Sequence, residues 1–271
     1  MSDEADGLSI ALQRIATEGR EKTGSLDLGE LELSALPDEV FGLTHLHRLN
    51  LGWRLLNEHG SATAYSNTKY SFNNLQGELA RLAVFRDLRI LGLWGASVDD
   101  LEGFPKFSNL TVLDLGHNAI ENINALASLK TLQFLCCDFT PIADLRPLAG
   151  LTRLKQLEIR RTKVSDIGPL AGLTSLEELA CAESPIHTVE PISRLPCLRR
   201  LDISSTKVTD LRPLATLQSL ESLDAENIVP NNPDSLTDLP ALSSVDFTGG
   251  EFSDVYPDPA YHRASANLRR R

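Results

Sequence analysis

The sequence predicts an α/β solenoid: a right-handed stack of about ten coils, with parallel strands lining a concave side and short helical or 3₁₀ turns on the convex side. Three observations predict it. Leucines at 88, 110, 132, 154, 176, 198, 220 and 242 are each separated by 22 residues. Each unit follows L-x-x-L-x-L-x-x-[N/T/S]-x-[I/V]-x-x-[I/L], as in the segment that starts at Leu154. Hydrophobic residues make up 42% of the 271, yet aromatics only 6%. One recurring apolar position accounts for that imbalance better than a varied core does. Repeat arrays of this kind grow linearly, so chain length does not limit the architecture to one or two globules.

The pattern assigns each part of a unit. Leu157 and Ile159, Leu201 and Ile203, and Leu113 and Leu115 alternate with polar residues, the two-residue period of a strand. A polar turn follows, then a second apolar run such as Ile167, Leu170 and Leu173. Pro169 and Pro213 in that run favour 3₁₀ or extended turns over a long α-helix. One unit cannot bury its own leucines, so units must stack. The ninth position holds Asn118, then Thr140, Thr162, Ser184 and Thr206, whose side chains are expected to bond backbone groups in the bend.

The ends and one interruption complete the organisation. Leu8, Leu12, Ile15 and Ala16 have helical spacing, so residues 1–22 are expected to form an amphipathic capping helix. The repeats run over 23–255, and 256–271 read as a C-terminal tail, expected to be disordered from His262. Leu46 and Leu88 are 42 residues apart, 20 more than one repeat. The excess is expected at 57–76, a polar segment carrying Tyr65, Tyr70 and Phe72, which reads as a flap beside the concave aromatic residues.

The 22-residue unit, with phrases such as Val164-Ser-Asp-Ile-Gly-Pro-Leu-Ala-Gly-Leu-Thr, resembles the SDS22-like class of leucine-rich repeats, as do the units of bacterial internalins. The entry segment Gly24-Ser-Leu-Asp-Leu-Gly-Glu-Leu-Glu-Leu-Ser-Ala-Leu-Pro-Asp-Glu-Val is similar to the first repeat of bacterial Roco-type proteins. That resemblance implies a regulatory array beside a GTPase domain. No GxxxxGK[ST] phosphate loop occurs, so GTPase activity does not carry over.

Function follows from what the sheet would present. Strand residues not pointing inward give Trp53, Trp94, His117, Phe134 and Phe139 in early units, then Arg160 and Arg161. Aromatics and arginine dominate interface energetics, so these seven are the candidate partner-binding residues. Later units supply Asp202, Asp224 and Asp246, a carboxylate ladder suited to a partner with a basic surface. Arrayed one per coil, those acids read as solvated charge and not as a metal or acid–base site. No His-Asp constellation accompanies Cys136, and Cys137 and Cys181 read as small core residues. The expectation is a protein–protein interaction module without catalytic residues, cofactor or metal. The alternatives are a Roco-like regulatory domain and a secreted effector or adhesin.

The net charge of −11 argues against nucleic acid as the partner. No apolar stretch approaches the ~18 residues of a membrane span. The acidic N-terminus lacks a secretory pattern, so a cytoplasmic setting is expected.

Overall fold

The computed structural model describes residues 2–65 and 72–247. The expected tail at 256–271 lies outside them. The chain forms two compact units, residues 1–141 and 142–271. The first begins with helix α1 (Ser2–Glu21) and strand β1 (Ser25–Asp27), followed by β2 (Arg48–Asn50). A two-stranded insertion, β3 (Arg54–Leu56) and β4 (Ala62–Tyr65), precedes β5 (Ile90–Gly92), β6 (Val112–Asp114) and β7 (Phe134–Cys136). The second unit holds β8 (Gln156–Glu158), β9 (Glu178–Ala180), β10 (Arg200–Asp202), β11 (Ser222–Asp224) and β12 (Ser244–Asp246). Within each unit five strands run parallel, β1-β2-β5-β6-β7 in the first and β8 to β12 in the second.

Register follows the leucine column. Leu49 lies opposite Leu26 and Leu91, and Leu113 opposite Leu91 and Leu135. In the second unit Leu157, Leu179, Leu201, Leu223 and Val245 form the same file. All of them are buried, and each such side chain contributes about 1.5–3 kcal/mol by leaving water. The convex side returns through 3₁₀ turns, among them Asn124–Ser128 and Gly168–Gly172. Pro147, Pro169, Pro191, Pro213 and Pro233 open five of these turns, where a fixed φ helps and a missing N–H costs nothing. Burial, and secondarily nearby carboxylates, pushes the Cys137 and Cys181 thiols far up, so both are inert packing residues.

The bend after each strand has a conformational signature that the sequence does not announce. Gly95, His117, Phe139, Arg161, Glu183, Ser205 and Asn227, spaced by 22 residues, all have φ between 53° and 69°. The left-handed region is costly for side chains with a Cβ. The ladder compensates, because it presents backbone donors to the next coil: His117 N–H to Asp138 O, Glu183 N–H to Ser204 O, Ser205 N–H to Glu226 O.

The ninth-position side chains close the bend. Asn118 donates to the carbonyls of Leu93, Leu115 and Gly116 and accepts from Val98 N–H. Thr140, Thr162 and Thr206 each donate to the carbonyl three residues back. In the interrupted coil the position falls to Asn73, which is buried. It accepts from Leu31 and Leu33 N–H and donates to Leu28 and Leu51 carbonyls at 2.8–3.2 Å. The insertion therefore leaves the coil after Trp53 and rejoins it at Asn73, earlier at both ends than the 57–76 read from the sequence. Leu75 belongs to the coil core.

The cap differs from expectation in which face it buries. Gly7, Ala11, Ile15 and Glu18 turn inward, while Leu8, Leu12 and Ala16 are exposed. Small residues win because the helix lies very close to the first coil: a Cβ on Gly7 would stand 2.0 Å from the Leu31 carbonyl oxygen. Buried Glu18 accepts from Thr23 Oγ1 (2.5 Å), Gly24 N–H (2.7 Å) and His45 Nε2 (2.8 Å).

Two outcomes are expected. Asn73→Ala strands four backbone groups and should lower stability by more than about 2 kcal/mol in denaturant titration. Thr206→Ala should cost less, because the Ile203 carbonyl keeps the Thr206 backbone N–H as a donor. Burial raises the Glu18 pKa, but hydrogen bonds from Thr23, His45 and Gly24 outweigh it and hold the carboxyl below the usual range. The anchor is then at full strength above ordinary glutamate pKa values, about 4.3, and weakens as pH falls through the lower folded value. Acid titration of the helix signal should show this loss, and Glu18→Gln should flatten it.

Candidate protein-interaction surface

The insertion in the first unit is a β-hairpin. Arg54 pairs with Tyr65 and Leu55 with Ala64, with a bulge before Leu56. Its turn uses the residues that turns demand. Asn57 Oδ1 accepts from His59 and Ser61 N–H, and Gly60 adopts φ +81°. Gly60 is required twice over, since a Cβ there would meet the Phe134 ring at 2.1 Å.

The hairpin covers the sheet. Leu56 joins Ile90, Trp94, Val112, Phe134 and Cys136 in one buried cluster. Arg54 stacks on Trp94 with its guanidinium carbon 4.0 Å from the ring centre, and meets Asp114 at 3.0 Å. Asp114 is fully buried and also accepts from Gly116 N–H. Gly116 must be glycine-sized, because the Trp94 indole would be 2.2 Å from a Cβ there. Of the five aromatic-region residues singled out by sequence, Trp94 and Phe134 are therefore not surface residues: they are 7% and 2% exposed. They were expected to face a partner, and instead face the chain's own hairpin.

The other three remain accessible, and a fourth joins them. Trp53 is 37% exposed and Phe139 41%, and His117 is also exposed. Phe72, 42% exposed, returns from the insertion and packs beside Gly95, the position that lacks a side chain in its column. Phe72, His117 and Phe139 follow one another with ring centres 5.9 and 6.1 Å apart. Trp94 underlies this file, at 6.2 Å from His117, 5.9 Å from Phe139 and 6.4 Å from Trp53. Phe72 was read as a flap residue only. The signal that could have placed it is adjacency to Asn73, which restarts the unit.

Arg160 and Arg161 belong to the second unit. Arg161 pairs with Glu183 at 2.7 Å, and Arg160 reaches Asp202 at 3.3 Å, two coils on. Asp202, Asp224 and Asp246 stand in register on adjacent strands. Burial first, then the neighbouring Asp202, Asp246 and Glu226, hold the Asp224 carboxyl above its ordinary range, with Arg160 offsetting part of this.

Comparison with known proteins agrees with this architecture. The model of Leucine Rich repeats (2 copies) matches residues 108–150. The fold is that of a leucine-rich-repeat protein. Internalin C2 of Listeria monocytogenes is 29% identical over 62% of this chain and 74% of its own, with TM-score 0.59. An internalin, inlF, from the same organism is 22% identical over 92% of this chain and 89% of its own, with TM-score 0.55. The Arabidopsis receptor kinase HAESA, solved with a peptide hormone and a co-receptor, is 17% identical over 92% of this chain and 46% of its own, with TM-score 0.63. The curated proteins include no match. Among the described residues no helix is long and apolar enough to cross a membrane.

The buried ion pair pins the hairpin, so Arg54→Ala should cost about 3–5 kcal/mol, because it leaves a charge uncompensated inside the protein. The double variant Arg54→Met/Asp114→Asn should recover most of that loss in chemical denaturation. Equal loss in the single and double variants would contradict the assignment.

Proposed function

We propose that this leucine-rich-repeat protein is a protein-interaction module whose first unit binds through the aromatic file Trp53, Phe72, His117 and Phe139. The observation that carries the proposal is three large aromatic side chains, each more than a third exposed, of which Trp53 and Phe139 lie against buried Trp94 while Phe72 lies against His117, itself against Trp94. Exposed aromatics held by a rigid base are the usual anchors of protein interfaces. The solved HAESA structure, with its peptide hormone and co-receptor, supports a binding role for the fold. Three of the file's residues, Trp53, His117 and Phe139, belong to the set expected on the concave face, and the hairpin covers Ile90, Val112 and Phe134 on that face.

The 22-residue unit supports the SDS22-like repeat class, and the segment from Gly24 supports, as the alternative function, a regulatory role of Roco type. A cytoplasmic setting suits the four cysteines, none of which forms a disulfide.

Affinity capture with the wild-type chain and with Trp53→Ala/Phe139→Ala tests the proposal. A partner held by the wild type should be at least about tenfold depleted with the variant, as loss of two hot-spot aromatics implies. Equal recovery from both folded proteins would refute it.

A further inference from the structure

We propose that Arg48 and Ser25, side by side on the sheet of the first unit, form a recognition point for a carboxylate side chain of a protein partner. Neither residue belongs to the aromatic file.

Position is the first argument. Ser25, Arg48, Ile90, Val112 and Phe134 lie in register on successive parallel strands, so their side chains share one face. Leu56 of the hairpin joins the last three in a buried cluster. Ser25 and Arg48, at the start of the file, are only part-buried.

Pairing is the second. Elsewhere on the sheets arginines are committed to acids, Arg54 to Asp114 in this unit and Arg200 to Glu178 in the second. Arg48 is not. Among the described residues its Nε is buried without a hydrogen-bond partner, and no ion pair engages its guanidinium. The acid of the adjacent strand, Asp27, is held by Arg14 at 3.3 Å and by Asn50 at 2.8 Å. Leaving a part-buried charge uncompensated is costly, and a bound carboxylate offsets that cost.

Chemistry selects the ligand. With Nε buried, the two Nη groups are the accessible end of a planar fork that matches the two oxygens of a carboxylate. The Ser25 hydroxyl on the adjacent strand can donate a further bond. Arg48 is held in the sheet between Ser25 and Ile90, so less side-chain freedom remains to be lost on binding. Exposed Arg89, whose N–H bonds the His47 carbonyl at 2.8 Å, adds a second cation at the same end of the strands. A polyanion such as nucleic acid fits less well. The unit has 11 Lys and Arg against 19 Asp and Glu, a field that repels long anionic chains, whereas a single carboxylate is met at short range.

The test begins with stability. Arg48→Met keeps the stem and removes the unpaired guanidinium, so its unfolding midpoint should equal or exceed that of the wild type. A fall would mean that the guanidinium is held within the molecule, and would overturn the proposal. Binding is then read with random linear twelve-residue peptides displayed on phage, selected on the full chain and counter-selected on Arg48→Met. Enriched peptides should share an Asp or Glu. Changing that residue to Asn or Gln should weaken binding to the wild type at least about tenfold and leave the residual binding to Arg48→Met unchanged, as a directly coupled pair requires. Ser25→Ala should weaken it less. No enrichment, enriched peptides without an acid, or equal loss on wild type and Arg48→Met would sink the proposal. So would a single-stranded oligonucleotide that binds the wild type and not Arg48→Met, since the site would then take phosphate.

Discussion

A leucine at the fourth position of every coil, opposed by the same leucine of the next, is the contact on which the other features depend. Parallel strands of only three residues make too few hydrogen bonds to hold a sheet alone. They persist because Leu26, Leu49, Leu91, Leu113 and Leu135 stack in register and exclude water. The same regularity brings each eighth position to the same bend, in the same left-handed conformation. A side chain at that position thus recurs in space as it recurs in sequence. The aromatic file is this register applied to His117 and Phe139, with Phe72 filling the gap at Gly95.

The hairpin turns a generic face into a particular one. An open strand face in the first unit would present Ile90, Val112 and Phe134 to solvent, and such a patch would be a liability. Leu56 covers it, and Arg54 crosses the cover to neutralise Asp114 at its centre. Burying that pair is expensive unless its geometry is good, and the stacking of Arg54 on Trp94 adds to the contact. Asn73 then returns the chain to its coil by performing the task that Asn118 performs two coils later. The insertion is thus anchored at both ends by polar side chains.

The second unit presents a different surface under the same register. Its exposed columns are charged, and its arginines are committed to neighbouring acids, Arg161 to Glu183 and Arg160 to Asp202. Asp224 sits between two further carboxylates and is correspondingly reluctant to ionise. The first unit presents rings at its surface, whereas the second offers a field of charges.

By itself the sequence determined the repeat. A 22-residue period of leucines leaves one economical way to hide them, and the strand positions, the proline-opened turns and the polar bend residues all follow from local rules. It also picked out Trp53, His117 and Phe139 as side chains outside the core. Tertiary structure alone decided that Trp94 and Phe134 are buried, because their cover comes from a segment that breaks the period and carries no repeat signal. It decided that Phe72 completes the file, that Arg54 pairs with Asp114 across 60 residues, and that α1 packs through Gly7 and Ala11 instead of its leucines. In each case the deciding quantity is a close approach between residues far apart in the chain, and a local pattern contains no record of that distance.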